Sequence, residues 1–455
     1  MEMVLEFLRD VLSQPALLIG IMSCIGLIAL KRPFHKVMTG TLKPILGYLM
    51  LAAGAGVIVN NLDPLGKMIE HGFHITGVVP NNEAIVAVAQ KVLGVETMSI
   101  LVVGLLMNLC IARFTKFKYV FLTGHHSLFM ACLMSAVLGT AGLSGMELIL
   151  VGGFLMGAWS AISPAIGQSY TSKVTDGDEI ALGHFGSLGY YLSAWVAKYV
   201  GKAEDSTEDI EIPEKWGFLR DSTLSTALTM IIFYLIAALA AGSEFVATLS
   251  GAMSPYLFAV MSAMNFAVGV AIVYSGVRMI LGDLIPAFQG IATKIIPNAI
   301  PAVDCAVFFT YAPTAVVLGF ISSFIGGIIG MLILGAVGGV LIIPGLVPHF
   351  FCGATAGIYG NATGGRRGAA VGAFLNGLAI TFLPAMALPV LGQLGFQNTT
   401  FGDADFAVMG LVLGNAYEWV GMAGIYGIVA IAALVLIIPN FIKTKGKVIN
   451  YVEED

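Results

Sequence analysis

The chain has 455 residues, of which 58% are hydrophobic and only 11% are charged. Soluble domains carry about 25% charged residues, so this composition excludes an ordinary soluble protein. The net charge of −5 gives no indication of nucleic-acid binding, and we expect no nucleic-acid partner. Apolar runs long enough to cross a bilayer recur along the chain and predict an all-α polytopic membrane protein.

The chain begins MEMVLEFLRDVLSQPALLIG, with acidic residues before the first apolar run and no small-residue cleavage site, so no cleaved signal peptide is expected. About eleven membrane-spanning helices are predicted. They cover 15–32, 42–60, 95–113, 118–140, 145–166, 223–243, 254–277, 317–335, 340–360, 369–391 and 418–440.

Four further stretches are interrupted by Pro, Gly or charged residues and fit poorly as full spans. We predict re-entrant hairpins or interfacial helices there, because irregular backbone at membrane depth must be buried in protein or line a watery cavity. These stretches are 78–92, 180–199, 298–315 and 402–416.

The five cysteines all lie in apolar stretches, and no CxxC pair is present. We interpret them as small core residues and expect no disulfide framework, no metal site and no cofactor. They are Cys24, Cys110, Cys132, Cys305 and Cys352.

Similar stretches recur in the two halves at a nearly constant spacing of 221 to 227 residues, which indicates a duplication, with coincidence as the alternative. The matches are Pro64 with Pro286, Glu83 with Asp304, His125 with His349, and GDEIALG (177–183) with ADFAVMG (404–410). The predicted units are a first repeat (1–200), a cytoplasmic loop (201–222), and a second repeat with the C-terminal span and tail (223–455). The polar loop is either a solvated linker or a contact surface for a cytosolic partner.

The positive charges predict that the repeats are inverted relative to each other. Lys and Arg cluster at 31–43 and 113–118, whereas the matching positions near 253–265 and 335–342 carry none. Cytoplasmic loops are enriched in these residues, so loops basic in one copy and neutral in the other lie on opposite sides. This orientation places the N-terminus outside and the C-terminus in the cytoplasm. Inverted repeats are typical of transporters that bind their substrate near the bilayer midplane.

Asp304 is the most conspicuous candidate, because an Asp at the centre of a membrane helix costs about 2.5–3.5 kcal/mol, a cost that a functional role would explain. Glu83, His125, His184 and Asn82 lie in the same kind of interrupted segment and could bind sugar hydroxyls. The alternatives are that Asp304 caps a broken helix, that the histidines are packing residues, and that Glu83 is a loop charge on the extracellular side.

Several stretches resemble the membrane-spanning IIC subunit of the ascorbate-type phosphotransferase system (PTS), over about residues 15–440. They are LTGH (122–125), VTDGDEIALGH (174–184), STEDI (206–210), GVRM (276–279), AVDCAVFFTYAPTAVVLGF (302–320) and LIIPGLVPHFF (341–351).

This resemblance implies an elevator-type carrier in the bacterial inner membrane, a homodimer of eleven-span protomers surrounded by lipid. A separate cytosolic IIB protein, supplied by IIA, would phosphorylate the sugar, and the chain itself would carry no phosphorylated or catalytic residue. Matched to the family's pattern, His125, His184 and Asp304 are the polar residues of the pocket, with Ala55, Asn82 and Phe185 beside them.

The chain departs from the ascorbate pattern at four positions. Phe185 and Phe129 stand where glutamine is expected, and Asn82 and Glu83 replace hydroxyl-bearing residues. These changes favour a neutral sugar or polyol over ascorbate, unless the pocket is shifted by a few residues and still takes ascorbate. Two other functions stay open: an ion-coupled secondary transporter of a small polyhydroxy solute, and a receptor-like protein without transport.

Overall fold

The computed structural model describes residue 11 and residues 14–74, 77–78, 80, 82–177, 179–210, 222–392 and 400–441. Within these ranges we number the helices and strands in chain order. The helices are α1 (Pro15–Ala29), α2 (Phe34–Phe73), α3 (Asn82–Phe114), α4 (Gly124–Thr140), α5 (Gly145–Val174), α6 (Ser187–Val200), α7 (Ser222–Ala241), α8 (Ser243–Ser250), α9 (Pro255–Lys294), α10 (Pro313–Ala336), α11 (Leu346–Gly392), α12 (Ala404–Val420) and α13 (Met422–Ile437). The strands are β1 (Tyr119–Phe121), β2 (Ala181–Leu182) and β3 (Ile300–Val303), and a 3₁₀ helix covers Cys305–Thr310.

Seven of the described helices are long and apolar enough to cross a membrane. An eighth span results if Thr226–Ala241 and Ser243–Ser250, which meet at 117°, count as one. The prediction of a polytopic helical membrane protein is therefore confirmed, whereas the described residues do not contain eleven such helices.

The count differs because hydropathy reports the length of an apolar run but not whether its backbone is one continuous helix. The predicted span 15–32 contains a helix of only 15 residues, α1. The predicted span 118–140 begins with strand β1, which leaves 17 residues for α4. Conversely, much of the predicted re-entrant segment 78–92 belongs to the continuous helix α3.

Helix α11 combines the two predicted spans 340–360 and 369–391, with non-helical backbone at Gly364 and Gly365. Gly365 has φ of 59°, a left-handed value that favours glycine. Gly353 and Gly377, on either side of this break, both pack against Ser323 of α10. The chain therefore folds back at this break, so that both halves of α11 pack against α10.

The all-α prediction misses a small parallel sheet with strand order β1-β3-β2. Val120 pairs with Pro301, and Leu182 pairs with Val303. The strands have two to four residues each, too few for a recognisable period-2 pattern in the sequence. Because the strands are parallel, the segments that follow them emerge at one edge, and this edge forms the candidate site described below.

Helices α2 and α9 have 40 residues each and pack against each other through glycines. A Cβ atom on Gly47 would lie 2.8 Å from the carbonyl oxygen of Gly276, and one on Gly54 would lie 2.7 Å from that of Gly269. Contacts that advance along one helix and retreat along the other show that the pair is antiparallel. The missing side chains allow the two backbones to touch.

The first half of the polar loop, residues 201–210, is docked on the helices, which argues against a fully solvated linker there. The Glu208 carboxylate accepts hydrogen bonds from the backbone N–H groups of Thr314 and Ala315 at the start of α10. The N–H of Arg366 donates to the carbonyl of Asp205 across 2.8 Å. The loop residues 211–221 lie outside the described residues.

Candidate functional site

A cavity of about 740 Å³ lies where the carboxyl ends of the strands approach α2. Its wall combines an apolar surface with polar groups that come from distant parts of the chain. The polar side chains nearest the strand ends are Tyr48, Asn82, His125, His126, His184, Asp304 and Asp403. A cavity of this size with a few converging polar groups is the usual form of a small-molecule site.

Asp304 follows strand β3 directly and both caps a helix and faces the cavity. Its Oδ1 accepts the N–H of Ala306 across 3.2 Å, at the first turn of the 3₁₀ helix. Its Oδ2 lies 3.4 Å from Nε2 of His125, and the Asp304 side chain is 8% exposed. The two interpretations of this residue, a structural cap and a cavity carboxylate, therefore apply to different oxygens of one side chain.

His125 lies at the start of α4, just after strand β1, and is the most accessible imidazole of the site, with 37% of its side chain exposed. Its Nδ1 lies 3.3 Å from the hydroxyl of Tyr48, a residue of α2. His125 thus joins α2 to the Asp304 segment, and its exposed edge is available to a ligand.

His126 and His184 form a second, buried pair with ring centroids 3.8 Å apart. Nδ1 of His126 accepts the N–H of Phe185 across 3.4 Å. Nδ1 of His184 accepts the N–H of Gly186 across 3.1 Å and lies 2.9 Å from the Tyr190 hydroxyl. A backbone N–H can only donate, so each neutral ring carries its proton on Nε2. Both imidazoles are thereby prepared as hydrogen-bond donors.

Asp403 is a cavity residue that the sequence analysis did not identify. The amide nitrogen of Asn82 donates to Oδ2 of Asp403 across 2.6 Å, and the thiol of Cys352 donates to Oδ1 across 2.9 Å. Asp403 lies in the predicted interrupted stretch 402–416, which was the available signal. Its pairing with Asn82, 321 residues away, is not visible in the sequence.

The remaining predicted site residues divide into three groups. Ala55 and Phe129 line the cavity with His125, His184, Asn82 and Asp304. Phe185 is fully buried and stacks on Phe121 with ring centroids 4.6 Å apart. It therefore packs beneath the cavity wall and does not line the cavity. The side chain of Glu83 lies outside the described residues.

The cysteines only partly fit the expectation of core residues. Cys132, Cys305 and Cys352 are buried, and the latter two reach the cavity, whereas Cys110 is exposed on the outer face of α3.

Two groups of potential metal ligands meet at His184. They are His126, His184 and Asp403, and His184, Asp304 and Cys305. A metal would need a free lone pair on each imidazole, but the Nδ1 lone pairs of His126 and His184 already accept backbone N–H groups. If the metal bound Nε2 instead, the neutral ring would carry its proton on Nδ1. That proton would then point at the backbone N–H group that Nδ1 now accepts. The geometry therefore suits hydrogen bonding to a ligand's oxygens better than metal coordination.

Comparison with known proteins identifies the family to which this chain belongs. The family model of the PTS system sugar-specific permease component, EIIC-GAT, matches residues 10–405. The "Ascorbate-specific PTS system EIIC component" of Mycoplasma pneumoniae is 27% identical to this chain over an alignment 474 residues long, which includes 90% of this chain and 70% of the relative. The match extends over most of the chain, including the strand ends and the segments that form the cavity, and the chain therefore belongs to the family of PTS sugar-specific permease components.

Proposed function

We propose that this chain is the IIC subunit of a phosphotransferase system that carries ascorbate or a related polyhydroxy solute across the inner membrane. The observation that carries this proposal is the cavity in which Asp304 and three imidazoles converge. Carboxylates accept strong hydrogen bonds from hydroxyl groups, and Nε2–H groups donate to hydroxyl or enolate oxygens. A solute with several hydroxyls can use both kinds of group at once.

An inverted repeat is part of this proposal, and three observations support it. Helices α2 and α9 have equal length and pack antiparallel through paired glycines. The β1–β3 pairing of Val120 has a counterpart in the isolated parallel bridge between Val78 and Ile342. Val120 and Ile342 are 222 residues apart, as are Pro64 and Pro286. The elevator motion, the homodimer and the lipid contacts rest on the family resemblance.

The proposed orientation places the N-terminus outside, and the C-terminus and loop 201–222 in the cytoplasm. At one end the cavity is lined by Asp63, Lys67 and Glu70 of α2, far along this helix from the basic segment 31–43. Under the positive-inside rule that end of the cavity faces outward. Glu204 is exposed, so Glu204→Cys should react with an impermeant maleimide only in inverted vesicles. Labelling in intact cells would show that the orientation is the opposite of the one proposed.

Group translocation is tested with proteoliposomes that carry the purified chain in their membrane. They enclose the cytosolic phosphotransferase proteins and phosphoenolpyruvate. We expect labelled ascorbate or polyol to appear inside only as its phosphate ester, and uptake to stop without IIB. The alternative, an ion-coupled transporter, draws on the carboxylate and imidazole groups of the same cavity. It predicts free solute inside and loss of uptake when an uncoupler collapses the proton gradient.

A further inference from the structure

A groove of about 350 Å³ lies on the outer surface of the protein, between α1, α3 and the end of α9. Among the described residues it shares no lining residue with the cavity at the strand ends. Its lining is apolar except for Arg113, and we call it the Arg113 groove. The apolar walls include Met22, Ile25, Leu109, Cys110, Phe114 and Ile295. Because Phe114 is 79% exposed and Ile25 is 42% exposed, the groove is open to the surroundings of the protein.

Cations lie at the C-terminal ends of all three helices that form the groove. Arg113 is in the last turn of α3, and Lys294 is in the last turn of α9, immediately before Ile295 of the groove. Lys31 and Arg32 follow the end of α1. All four cations are exposed. Cations stabilise helix C-termini, which accounts for their position but not for the apolar groove beside them.

Arg113 makes no ion pair within the described part of the chain. Its guanidinium lies 5.9 Å from the ring centroid of Phe114, and no described carboxylate lies within ion-pair distance of it. Lys118 caps the end of α3, because its ammonium group donates to the carbonyl oxygens of Ala112 and Arg113. A guanidinium carries five N–H donors in a planar fork that fits two oxygens of a phosphate. Arg113 therefore offers a phosphate-binding group beside an apolar groove.

We propose that the Arg113 groove binds an anionic phospholipid, with the phosphate on Arg113 and one acyl chain along the apolar walls. The groove lies beside Val95–Phe114, a helix long and apolar enough to cross a membrane. Its walls are therefore at the depth of the acyl chains, and Arg113 at the helix end is near the headgroups. The inference does not depend on which solute the cavity carries.

The net charge of the lipid should decide how tightly it binds. A zwitterionic phospholipid also has a phosphate, but its own cation cancels that charge, whereas an anionic lipid keeps it. Each Lys or Arg near the headgroup should favour the anionic lipid about fivefold. An acidic surface of a cytosolic protein is the alternative partner of these cations. It would leave the apolar walls without a partner, whereas an acyl chain covers them.

Cys110 provides the readout for a binding experiment. It lines the groove and is exposed, whereas Cys24 is half-buried and the other three cysteines are buried. Purified full-length protein in detergent is titrated with phosphatidylglycerol, which is anionic, or with phosphatidylcholine that carries the same acyl chains. The rate at which N-ethylmaleimide alkylates Cys110 is followed by mass spectrometry of the peptide that contains it. Phosphatidylglycerol should protect Cys110 at a concentration about fivefold or more below that of phosphatidylcholine.

Arg113→Gln should raise the protecting concentration of phosphatidylglycerol about fivefold, with a smaller change for phosphatidylcholine. Arg113→Lys keeps the charge and should recover part of the loss. Ile25→Trp narrows the groove and should weaken protection by both lipids. Arg367→Gln is the matched control, because it removes an exposed cation just after the break in α11 that does not line the groove. It should protect as the unmodified protein does.

Equal protection by the two lipids overturns the proposal, and so does an unchanged effect of phosphatidylglycerol on Arg113→Gln. Protection by sn-glycerol 3-phosphate alone would show a phosphate site without an acyl chain and overturns it as well. If Arg113→Gln keeps its lipid protection but the solute is no longer phosphorylated in proteoliposomes, the cation belongs to a contact with a cytosolic protein. Because phosphorylation and Cys110 protection are measured separately, this proposal and the transport function fail separately.

Discussion

Asn82 and Asp403 meet at the cavity wall although 321 residues separate them. The amide nitrogen of Asn82 lies 2.6 Å from Oδ2 of Asp403, and the amide oxygen of Asn82 accepts the N–H of Gly402 across 2.9 Å. Asn82 opens α3 and Asp403 immediately precedes α12. One side chain therefore joins the beginnings of two helices from opposite halves of the chain and fixes the position of a cavity carboxylate.

Asn82→Ala should weaken ligand binding. The substitution leaves Oδ2 of Asp403 and the N–H of Gly402 without the bonds they make to Asn82, at a cost of about 1–3 kcal/mol for a buried polar group. If the lost bonds destabilise the conformation that binds the ligand, the affinity drops about 5–150-fold. Calorimetry with the best of the tested polyhydroxy ligands measures the change. An affinity equal to that of the unmodified protein would show that the Asn82–Asp403 bond has no part in the site.

His184→Ala and His125→Ala should separate binding from stability. His184 is buried, accepts the N–H of Gly186 and lies 2.9 Å from the Tyr190 hydroxyl, so its loss should lower both ligand affinity and melting temperature. His125 is 37% exposed, so its loss should lower affinity with little change in melting temperature. Thermal unfolding in detergent and calorimetry provide the two readouts. Equal effects of both substitutions on stability would contradict the different burial of the two rings.

Gly54→Ala should destabilise the protein, whereas Gly56→Ala should not. A methyl group on Gly54 meets the backbone oxygen of Gly269 at 2.7 Å, and one on Gly56 meets nothing within 4 Å. Overpacking of this kind costs about 1–3 kcal/mol, because α2 and α9 must separate. At an open helical position, alanine is favoured over glycine by about 1 kcal/mol. The comparison of melting temperatures tests the close approach of the two helices, and similar values for both variants would exclude it.

Glu208→Ala should lower the stability of α10 without a direct effect on the cavity. The carboxylate accepts the N–H groups of Thr314 and Ala315, and a lost N-terminal cap costs about 0.5–2 kcal/mol. Glu208→Gln keeps one acceptor oxygen and should lose less. Hydrogen exchange at the first turn of α10 is the sharpest measurement, and faster exchange is expected in the alanine variant. Protection equal to that of the unmodified protein would indicate that the cap contributes nothing.

The class of the protein could be predicted from the amino-acid sequence alone, because class depends on properties that can be counted along the chain. The length of the apolar runs predicts a polytopic membrane protein, and the motifs AVDCAVFFTYAPTAVVLGF and LIIPGLVPHFF indicate the transport family. Asp304 was recognisable because a carboxylate in an apolar segment needs a compensating function. His125 and His184 were recognisable because they lie in matched segments interrupted by glycine.

Folding brings the cavity side chains together and sets which nitrogen of each buried imidazole carries the proton, and neither could be predicted from the sequence. Phe185 adjoins His184 in sequence but is turned away from the cavity and packs on Phe121, whereas Asp403 enters it from the far end of the chain. The proton positions on His126 and His184 follow from backbone N–H groups that exist at those places only after folding. These features depend on strand pairing and helix packing between residues that are hundreds of positions apart, and local sequence patterns carry no record of such contacts.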